Sequence, residues 1–386
     1  MKLLHVVPSF YPAQVYGGPI ESVYALCRHV AAQGCEVRVL TTDANGLDRV
    51  LDVEKDRETI LPGNLRVRYC RRLMRHSVSL KLLGRIIEAV RWADVVHLTA
   101  VYSFPTLPTL LACKLFGKPL VWSPRGALQR WSGSAKLRRK QIWQWMCAGV
   151  APRELTLHVT SAEEARESRI AFPQAQIAVI ANGVDIPPLL KNLRTAKPLR
   201  LVFLGRLDPK KGLENLLDAC ALVKRTGRLD FSLTIAGAGD PPYTQSLRDK
   251  IAAVELAGEV EMIGAVYDQA KADLLERASL VVVPSHTENF ALVVAEALAH
   301  GVPVIASKGT PWQKLEQNGC GLWVDNDAAS LAGAIERMAH MPLGEMGQRG
   351  RDWMAREFSW QERAAEMMQL YQSNLRSAPN LAAQPA

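Results

Sequence analysis

The sequence has no cysteine motif and no long apolar run, and its first residues are not expected to form a signal peptide. Its seven cysteines are scattered along 386 residues without a Cys-x-x-Cys pair, which argues against a zinc site or a disulfide framework and favours a reducing, cytoplasmic compartment. The most apolar stretch, Leu107–Phe116, contains Pro108 and Lys114 and falls short of the roughly 18 residues that a membrane-spanning helix needs. The start, Met1–Pro8, has too short an apolar run for a signal peptide. Any membrane contact is therefore expected to be peripheral.

The composition is that of an ordinary globular protein whose charge is unevenly distributed. An apolar content of 48% excludes disordered and fibrous classes, and the length favours two domains. Residues 1–187 carry 25 Lys and Arg against 15 Asp and Glu, whereas residues 188–386 carry 22 against 23, so the net charge of +9 arises in the first half. A basic half joined to a neutral half indicates two tasks in two domains, one of which meets an anionic partner.

Apolar strand-like runs alternate with segments of helical period along the chain, a pattern typical of α/β domains with a doubly wound parallel sheet. Between Ile186 and Pro198 the chain becomes proline-rich and loses this periodicity, which indicates a linker. We therefore predict an amino-terminal Rossmann-like domain at 1–187, a carboxyl-terminal one at 188–358, and a terminal segment at 359–386. Ligands of such sheets bind beyond the carboxyl ends of the strands, so the two sets of loops are expected to surround one cleft.

The first chemical motif is the loop Gly205–Gly212, which leaves an apolar strand and enters a predicted helix, Leu213–Thr226. Arg206 and Lys211 within it can neutralise a diphosphate, Arg through its planar fork and Lys as a point charge. The alternative is a solvated turn with basic residues at its tip.

The second motif places two carboxylates around a predicted helix, Phe290–Ala299. Glu288 precedes this helix and Glu296 lies inside it, where an acid among apolar residues is costly without a partner. The pair could bracket a sugar nucleotide, while the free N–H groups at the helix start face its phosphates. The alternative is a charge that complements the helix dipole, together with a buried ion pair.

Both motifs, each after a strand and in this order, resemble the family 4 glycosyltransferases, retaining enzymes of the GT-B fold. The resemblance implies that Arg206 and Lys211 bind the donor diphosphate, that Glu288 contacts the donor sugar, and that Glu296 contacts the ribose. It covers nearly the whole chain and includes three further segments: Asn182–Asp185, Ala297–Ser307 and Phe358–Trp360. It also implies that a helix at about Ser359–Asn374 crosses back to the first domain.

The same resemblance defines the expected site. Gly17 and Gly18 would let the backbone approach the donor phosphates and the acceptor; the alternative is a turn ahead of a helix that begins with Pro19. The residues expected to be catalytic are Glu288, Arg206, Lys211 and Arg125. Those expected to bind substrate are Gly17, Gly18, Gly205, Asn289, Phe290, Ala291, Leu292, Val293 and Glu296.

Two positions depart from the common family pattern. Many members have a His ahead of a Gly in the first domain, where this chain has Pro124-Arg125-Gly126. Because an arginine does not exchange protons near neutral pH, it is expected to stabilise phosphate or developing negative charge. Ala291 stands where Glu-x-Phe-Gly is usual, and its methyl group is expected to tighten the donor site. The Pro-Arg-Gly and Thr310-Pro311-Trp312 motifs together resemble one subgroup.

The resemblance implies transfer of a hexose-type sugar, with retention, from a UDP- or GDP-type donor to a saccharide or lipid-linked acceptor in polysaccharide, lipopolysaccharide or exopolysaccharide synthesis. Neither a metal nor another cofactor is expected. Front-face attack is expected, and Glu163, Asp185 and Asp208 are the carboxylates to test for a covalent route. Alternatives are a nucleotide-sugar epimerase of the same fold and a non-catalytic binder of anionic polymers.

Two basic stretches, Arg66–Arg91 and Lys136–Lys140, hold much of the first half's charge. The second precedes Trp143 and Trp145, and a basic helix with tryptophans can lie on an anionic membrane. The alternative is a solvated basic face above buried aromatic residues. No nucleic-acid-binding motif is present, so nucleic acid is not an expected partner.

Overall fold

A computed structural model describes residues 1–74, 77–129, 137–188 and 197–377. The chain forms two compact units, one comprising Met1–Gly183 with Trp360–Ala386 and the other Val184–Ser359. The expected boundaries at 187 and 358 lie within four residues of these. Most of the expected linker, residues 189–196, and the terminal tail, residues 378–386, lie outside the described residues.

The first unit contains an eight-stranded sheet in the order β3-β4-β2-β1-β5-β6-β7-β8. All neighbours are parallel except the edge strand β3, which runs antiparallel to β4. Its strands are β1 Lys2–Ser9, β2 Glu36–Thr42, β3 Glu58–Leu61, β4 Leu65–Cys70, β5 Val95–Thr99, β6 Leu120–Ser123, β7 Leu155–Val159 and β8 Gln176–Val179. Its first five helices are α1 Gly18–Ala32, α2 Leu80–Trp92, α3 Thr106–Leu115, α4 Leu137–Val150 and α5 Ala162–Ala171.

Helices cover both faces of this sheet because its buried strands carry apolar residues on both sides. On β1, Leu3 and Val7 face the core formed with α1, whereas Leu4 and Val6 face the core formed with α2 and α3. A helix late in the chain, Trp360–Ser377, also packs on α1.

The second unit contains a six-stranded, all-parallel sheet in the order β11-β10-β9-β12-β13-β14. Its strands are β9 Leu199–Leu204, β10 Phe231–Ala236, β11 Val260–Gly264, β12 Leu280–Val283, β13 Val304–Ser307 and β14 Gly321–Val324. The remaining helices of the chain are α6 Leu213–Thr226, α7 Pro241–Ala253, α8 Asp268–Arg277, α9 Leu292–Ala299, α10 Ala328–Ala339, α11 Leu343–Glu357 and α12 Trp360–Ser377.

The predicted fold class, two doubly wound α/β domains, is confirmed. Several elements match closely, including α6 at Leu213–Thr226. The helix predicted from Phe290 begins instead at Leu292, because Ala291 adopts a left-handed conformation that ends the preceding loop.

Three buried histidines, His5 on β1, His97 on β5 and His158 on β7, form a cluster in the first unit. Hydrogen bonds link His97 and His158 into a network, and His5 stacks on His97. His158 Nε2 donates to the Ile180 carbonyl, so its Nδ1 accepts from Ser123 Oγ at 2.7 Å. Ser123 Oγ in turn accepts from His97 Nε2 at 2.7 Å, which leaves His97 Nδ1 to accept from the Tyr371 hydroxyl of α12 at 2.6 Å. The network therefore ties α12 to the centre of the sheet.

The imidazoles in this cluster are neutral because they are removed from water. Burial, reinforced by the charge of Arg125, lowers the pKa of His158 to about 3 and that of His5 to about 3. Burial also lowers the pKa of His97 well below its ordinary value. The fold therefore depends on three imidazoles that stay unprotonated at neutral pH.

The protein is expected to lose stability as the pH falls from about 6.5 towards 3, because each of these imidazoles takes up a proton only on unfolding. The free energy of unfolding should fall by about 1.4 kcal/mol per pH unit for each buried imidazole. Urea denaturation at a series of pH values measures this slope. His158→Gln should flatten it, with exposed His340→Gln as the control for replacing a histidine. An unchanged slope in His158→Gln would contradict the assignment.

Candidate active site

The main candidate site lies where the strand order of the second sheet reverses. Strand β9 has β10, the next strand in the chain, on one side and β12 on the other, and such a switch point opens a crevice beyond the strand ends. The loop after β9 is Gly205–Gly212, and the loop after β12 is Pro284–Ala291. Both sequence motifs of this half therefore flank the same crevice.

Close backbone contacts hold these loops together. Gly212 has a φ of 66°, and a Cβ on it would lie 2.1 Å from the Pro284 carbonyl oxygen. A Cβ on Gly237, after β10, would lie 1.8 Å from the carbonyl oxygen of Gly205. Only glycine permits such approaches, so these positions fix the spacing between the loops.

Lys211 and Glu288 form an ion pair across the crevice. Lys211 Nζ lies 2.5 Å from Glu288 Oε1, which also accepts from Ser285 Oγ at 2.7 Å. Burial raises the pKa of the Glu288 carboxyl, but Lys211, through its charge and hydrogen bond, together with Ser285 and Lys210, outweighs burial and lowers the pKa below its ordinary value. Glu288 is therefore a carboxylate that accepts hydrogen bonds.

Two further cations lie in the same loop. Arg206 is exposed, and within the described part of the chain no acidic side chain lies at ion-pair distance from it. Lys210 is half-buried, and burial lowers the pKa of its ammonium group. Arg206, Lys210 and Lys211 together give this edge of the sheet the charge to receive a polyphosphate.

Helix α9 begins beside this pair without a side-chain cap. Its N-cap is Ala291, with φ 58° and ψ 67°, so the amides of Leu292 and Val293 start the helix with no capping side chain. The departure from the family's usual glycine thus falls on a residue whose backbone favours glycine. Asn289 is half-buried in the same loop.

Phe290 has a packing role in addition to its place in the motif. Its ring is buried against Trp312 and Phe358, and its carbonyl oxygen accepts from Trp312 Nε1 at 2.5 Å. Thr310 Oγ1 donates to the Ser307 carbonyl at 2.8 Å. The Thr-Pro-Trp loop therefore supports the loop that carries Glu288.

Glu296 lies on α9 and is paired with a residue that the sequence motifs did not reveal. Lys271 Nζ of α8 donates to Glu296 Oε1 at 2.9 Å. This ion pair fixes one carboxylate oxygen of Glu296. No spacing signal links residues 271 and 296, so only the fold brings them together.

The first unit carries the remaining predicted residues. Gly17, with a φ of 73°, is the N-cap of α1, which begins at Gly18 with Pro19 in its first turn. Arg125 follows β6, is half-buried, and has a φ of 54°. Its Nη1 donates to Asn182 Oδ1. Both groups lie beyond the carboxyl ends of strands in the first sheet, β1 for Gly17 and β6 for Arg125.

The carboxylates considered for a covalent route have other roles. Glu163 is exposed and pairs with Arg166 at 2.7 Å. Asp208 Oδ1 caps a turn by accepting from Lys210 N at 3.0 Å, and Asp185 is exposed. Sequence reasoning missed Glu164 as well as Lys271. Glu164, the neighbour of Glu163, is fully buried and accepts a hydrogen bond from Gly126 N, next to Arg125.

Neither a metal cluster nor a membrane span is found among the residues that the structure describes. No group of three or more His, Cys, Asp or Glu side chains there is arranged to hold a metal ion. Similarly, no described helix is long and apolar enough to cross a bilayer.

Two doubly wound domains, with a cationic loop and a carboxylate at a switch point, define a GT-B glycosyltransferase. A sucrose-phosphate synthase from Thermosynechococcus elongatus has the same fold, with a TM-score of 0.77 at 20% identity over 97% of this chain and 99% of that one. HepE from Anabaena, solved with UDP and glucose, has a TM-score of 0.72 at 18% identity over 97% and 100% of the chains.

Sequence comparison gives the family. Residues 16–186 match "Glycosyltransferase Family 4", and residues 190–353 match "Glycosyl transferases group 1". A D-inositol 3-phosphate glycosyltransferase of Arthrobacter sp. is 33% identical over 95% of this chain and 93% of its own length. A GDP-mannose:cellobiosyl-diphosphopolyprenol alpha-mannosyltransferase of Xanthomonas oryzae is 28% identical over 86% and 85%. The chain belongs to the family 4 glycosyltransferases, enzymes of glycan synthesis.

Ala291→Gly is expected to leave the melting temperature unchanged or to raise it, because the left-handed conformation costs alanine about 1 kcal/mol that glycine does not incur. Ala295→Gly, in the middle of α9, is the matched control and should destabilise the protein by about 1 kcal/mol or more. Thermal denaturation of both variants tests the difference. Equal losses in the two variants would show that Ala291 is not strained.

Proposed function

We propose that the protein is a retaining hexosyltransferase that moves a sugar from a UDP- or GDP-type donor to a saccharide or lipid-linked acceptor during bacterial-type polysaccharide synthesis. The observation that carries the proposal is the Lys211–Glu288 pair beside the uncapped start of α9 at the switch point. It offers, in one crevice, cations for a diphosphate and a carboxylate for sugar hydroxyls.

The donor's diphosphate is assigned to the Gly205–Gly212 loop and the first amides of α9. Arg206 can bind phosphate oxygens through two parallel hydrogen bonds, and Lys211 supplies a point charge. The amides of Leu292 and Val293 add helix-start donors to the same anion. Because these groups neutralise the leaving diphosphate, we propose that transfer needs no divalent metal.

The donor's sugar and ribose are assigned to the two carboxylates. Glu288 is ionised, so it accepts from sugar hydroxyls and orients the ring but does not donate a proton to the leaving group. Glu296 has one oxygen bonded to Lys271 and offers the other to the ribose diol. Because Glu163 is paired with Arg166 and Asp208 Oδ1 accepts from the Lys210 amide, we propose front-face attack in which the departing phosphate takes the acceptor's proton.

The acceptor side is assigned to the first unit. Gly17 brings backbone close to the ligand at the start of α1, and Arg125 stabilises phosphate or developing negative charge beyond β6. Two similar proteins support these classes: the Xanthomonas relative is named for GDP-mannose and a cellobiosyl-diphosphopolyprenol, and HepE was solved with UDP and glucose.

Glu288→Gln is expected to lower turnover about 100-fold or more, because the amide keeps the shape but loses the charged acceptor for sugar hydroxyls. The donor is first identified by a panel of nucleotide sugars, of which the true donor should raise the melting temperature. Turnover is then measured with that donor. Glu261→Gln, an exposed position on β11, is the control and should keep wild-type turnover.

Retention of wild-type turnover by Glu288→Gln would contradict the assigned role. Conversion of the nucleotide sugar to its epimer without an acceptor would favour the epimerase. Absence of a thermal shift with every nucleotide sugar would argue for the non-catalytic binder.

The proposed location is the cytoplasmic face of a membrane, and several arginines of the basic stretch Arg66–Arg91 are engaged within the first unit. Arg66 on β4 pairs with Glu58 at 3.6 Å, and Arg68 donates to the Asp56 carbonyl at 2.9 Å. Arg72 binds loop carbonyls, including that of Gly46 at 2.8 Å. Arg75 and Lys136 lie outside the described residues. These arginines of β4 and its loops therefore stabilise the first unit locally.

The better candidate surface for membrane contact is the outer face of α2, α3 and α4, which pack side by side. It carries exposed apolar side chains together with basic ones, and Glu88 is the only acid in these three helices among the described residues. Such a combination is typical of contact with an anionic bilayer. The apolar members are Leu80, Leu83, Ile87, Leu111, Leu115, Ile142 and Trp145, and the basic members include Lys81, Arg85, Lys114, Arg138 and Arg139.

Trp145→Glu is expected to weaken binding to vesicles that contain phosphatidylglycerol about tenfold, because Trp145 is 77% exposed and would insert at the interface. Vesicle co-sedimentation at low and high salt measures the affinity for the vesicles, which should fall as the salt concentration rises. The control is Ile170→Glu, an exposed apolar position on α5. Equal affinity for neutral phosphatidylcholine vesicles, or dimerisation through this face, would contradict the proposal.

A further inference from the structure

Two adjacent glutamates on α5 have opposite environments. Glu163 is exposed and forms a surface ion pair, whereas Glu164 has no solvent exposure. With Ser161 as the N-cap of α5, the spacing matches a capping box, in which the third-position Glu normally bonds back to the amide of the cap residue. The side chain of Glu164 bonds elsewhere.

The carboxylate of Glu164 joins two loops. Its Oε1 accepts from Gly126 N at 2.6 Å, and its Oε2 accepts from Thr160 N at 2.8 Å and from Thr160 Oγ1 at 3.1 Å. Three hydrogen bonds to one buried carboxylate form a strong, directional anchor, since bonds to an ionised acceptor are stronger than neutral ones. The loop after β6 is therefore fixed to the start of α5.

The anchored loop holds an unfavourable backbone conformation. Arg125 has a φ of 54° and Gly126 a φ of 76°, so two successive residues are left-handed. An arginine in this region is strained, and such strain persists only where neighbouring contacts over-determine it. The Glu164 bond to Gly126 N is the contact that fixes the second residue of this pair.

The strained residue has unused hydrogen-bonding capacity. Nη1 of Arg125 donates to Asn182, but Nε and Nη2 are shielded from solvent and have no hydrogen-bond partner among the described residues. The buried imidazoles near it are neutral and bring no negative charge. Burial lowers the pKa of Arg125, and the charge of Glu164 is the largest effect that opposes this. An oxyanion would satisfy both the free N–H groups and the charge.

We infer that Glu164 is a positioning residue: through the amide of Gly126 it holds Arg125 in the left-handed conformation in which two guanidinium nitrogens, Nε and Nη2, are left to donate to an anionic oxygen of the substrate. The inference rests on the proposed function, because it requires Arg125 to act in sugar transfer. Glu164 itself contacts no substrate in this arrangement.

The test is a double-mutant cycle on turnover with Glu164→Gln, Arg125→Lys and the double variant. An amide offers one acceptor oxygen where the carboxylate offers two, so either Gly126 or Thr160 loses its bond. Glu164→Gln should lower kcat about tenfold or more and leave the KM for the nucleotide sugar within about twofold, because Lys211 and Glu288 hold the donor. In the Arg125→Lys background the same change should alter kcat by less than about twofold.

The matched control is Glu163→Gln, one residue away on the same helix, which should keep wild-type kcat and KM. If Glu164→Gln fails to fold, Glu164→Asp replaces it, because the shorter side chain keeps the charge but does not span both loops. Equal losses with and without Arg125 would overturn the inference and leave Glu164 with a structural role. Wild-type turnover in Arg125→Lys and in Arg125→Ala would instead overturn the proposed role of Arg125.

Discussion

The geometry of parallel strands is the constraint on which the rest of the molecule depends. Because parallel neighbours end at the same edge of a sheet, the loops after β9 and β12 meet although about 80 residues separate them in the sequence. The same constraint gathers the loops after β1, β6 and β7 in the first unit. Polar and charged residues that are far apart in the sequence are therefore brought close together by the sheet itself. No separate contact is needed for each pair.

Close packing between these loops then fixes the distances between them. Gly212 and Gly237 allow the backbones of adjacent loops to touch, and the Thr-Pro-Trp loop supports Phe290 from the other side. A catalytic group that is already in place does not need to reorganise during the reaction, which is the main source of electrostatic catalysis. The strained conformation of Ala291 belongs to this edge of the second sheet, and that of Arg125 lies beyond β6 in the first unit; surrounding contacts maintain each of them.

Much of the fold, and the position of the two motifs on strand-to-helix loops, was predictable, because local patterns determine both. The Leu213–Thr226 helix follows from periodicity and from glycines at each end, and Arg206, Lys211 and Glu288 follow from motifs beside apolar strands. The true start of α9 was missed because only the structure reveals the left-handed backbone of Ala291.

Other residues were beyond sequence reasoning because tertiary contacts alone distinguish them. Glu163 and Glu164 are chemically identical neighbours, and only burial against Gly126 separates them. Likewise, nothing in the sequence distinguishes Lys271 from the other lysines, and only the fold brings it into an ion pair with Glu296. The arginines from 66 to 72 looked like one surface in the sequence, but β4 and its loops direct them to separate local acceptors.

Each unit balances its own buried charge. In the second unit Lys211 faces Glu288 and Lys271 faces Glu296, while in the first unit Glu164 is the carboxylate that favours the charged form of Arg125. Breaking one member of such a pair leaves an uncompensated charge, which is far more costly than removing both. A lost carboxylate should therefore disturb first the cation that it faces. For this reason we expect a Glu164 variant to act through Arg125 and to change the rate of transfer rather than donor binding, which we assign to Lys211 and Glu288.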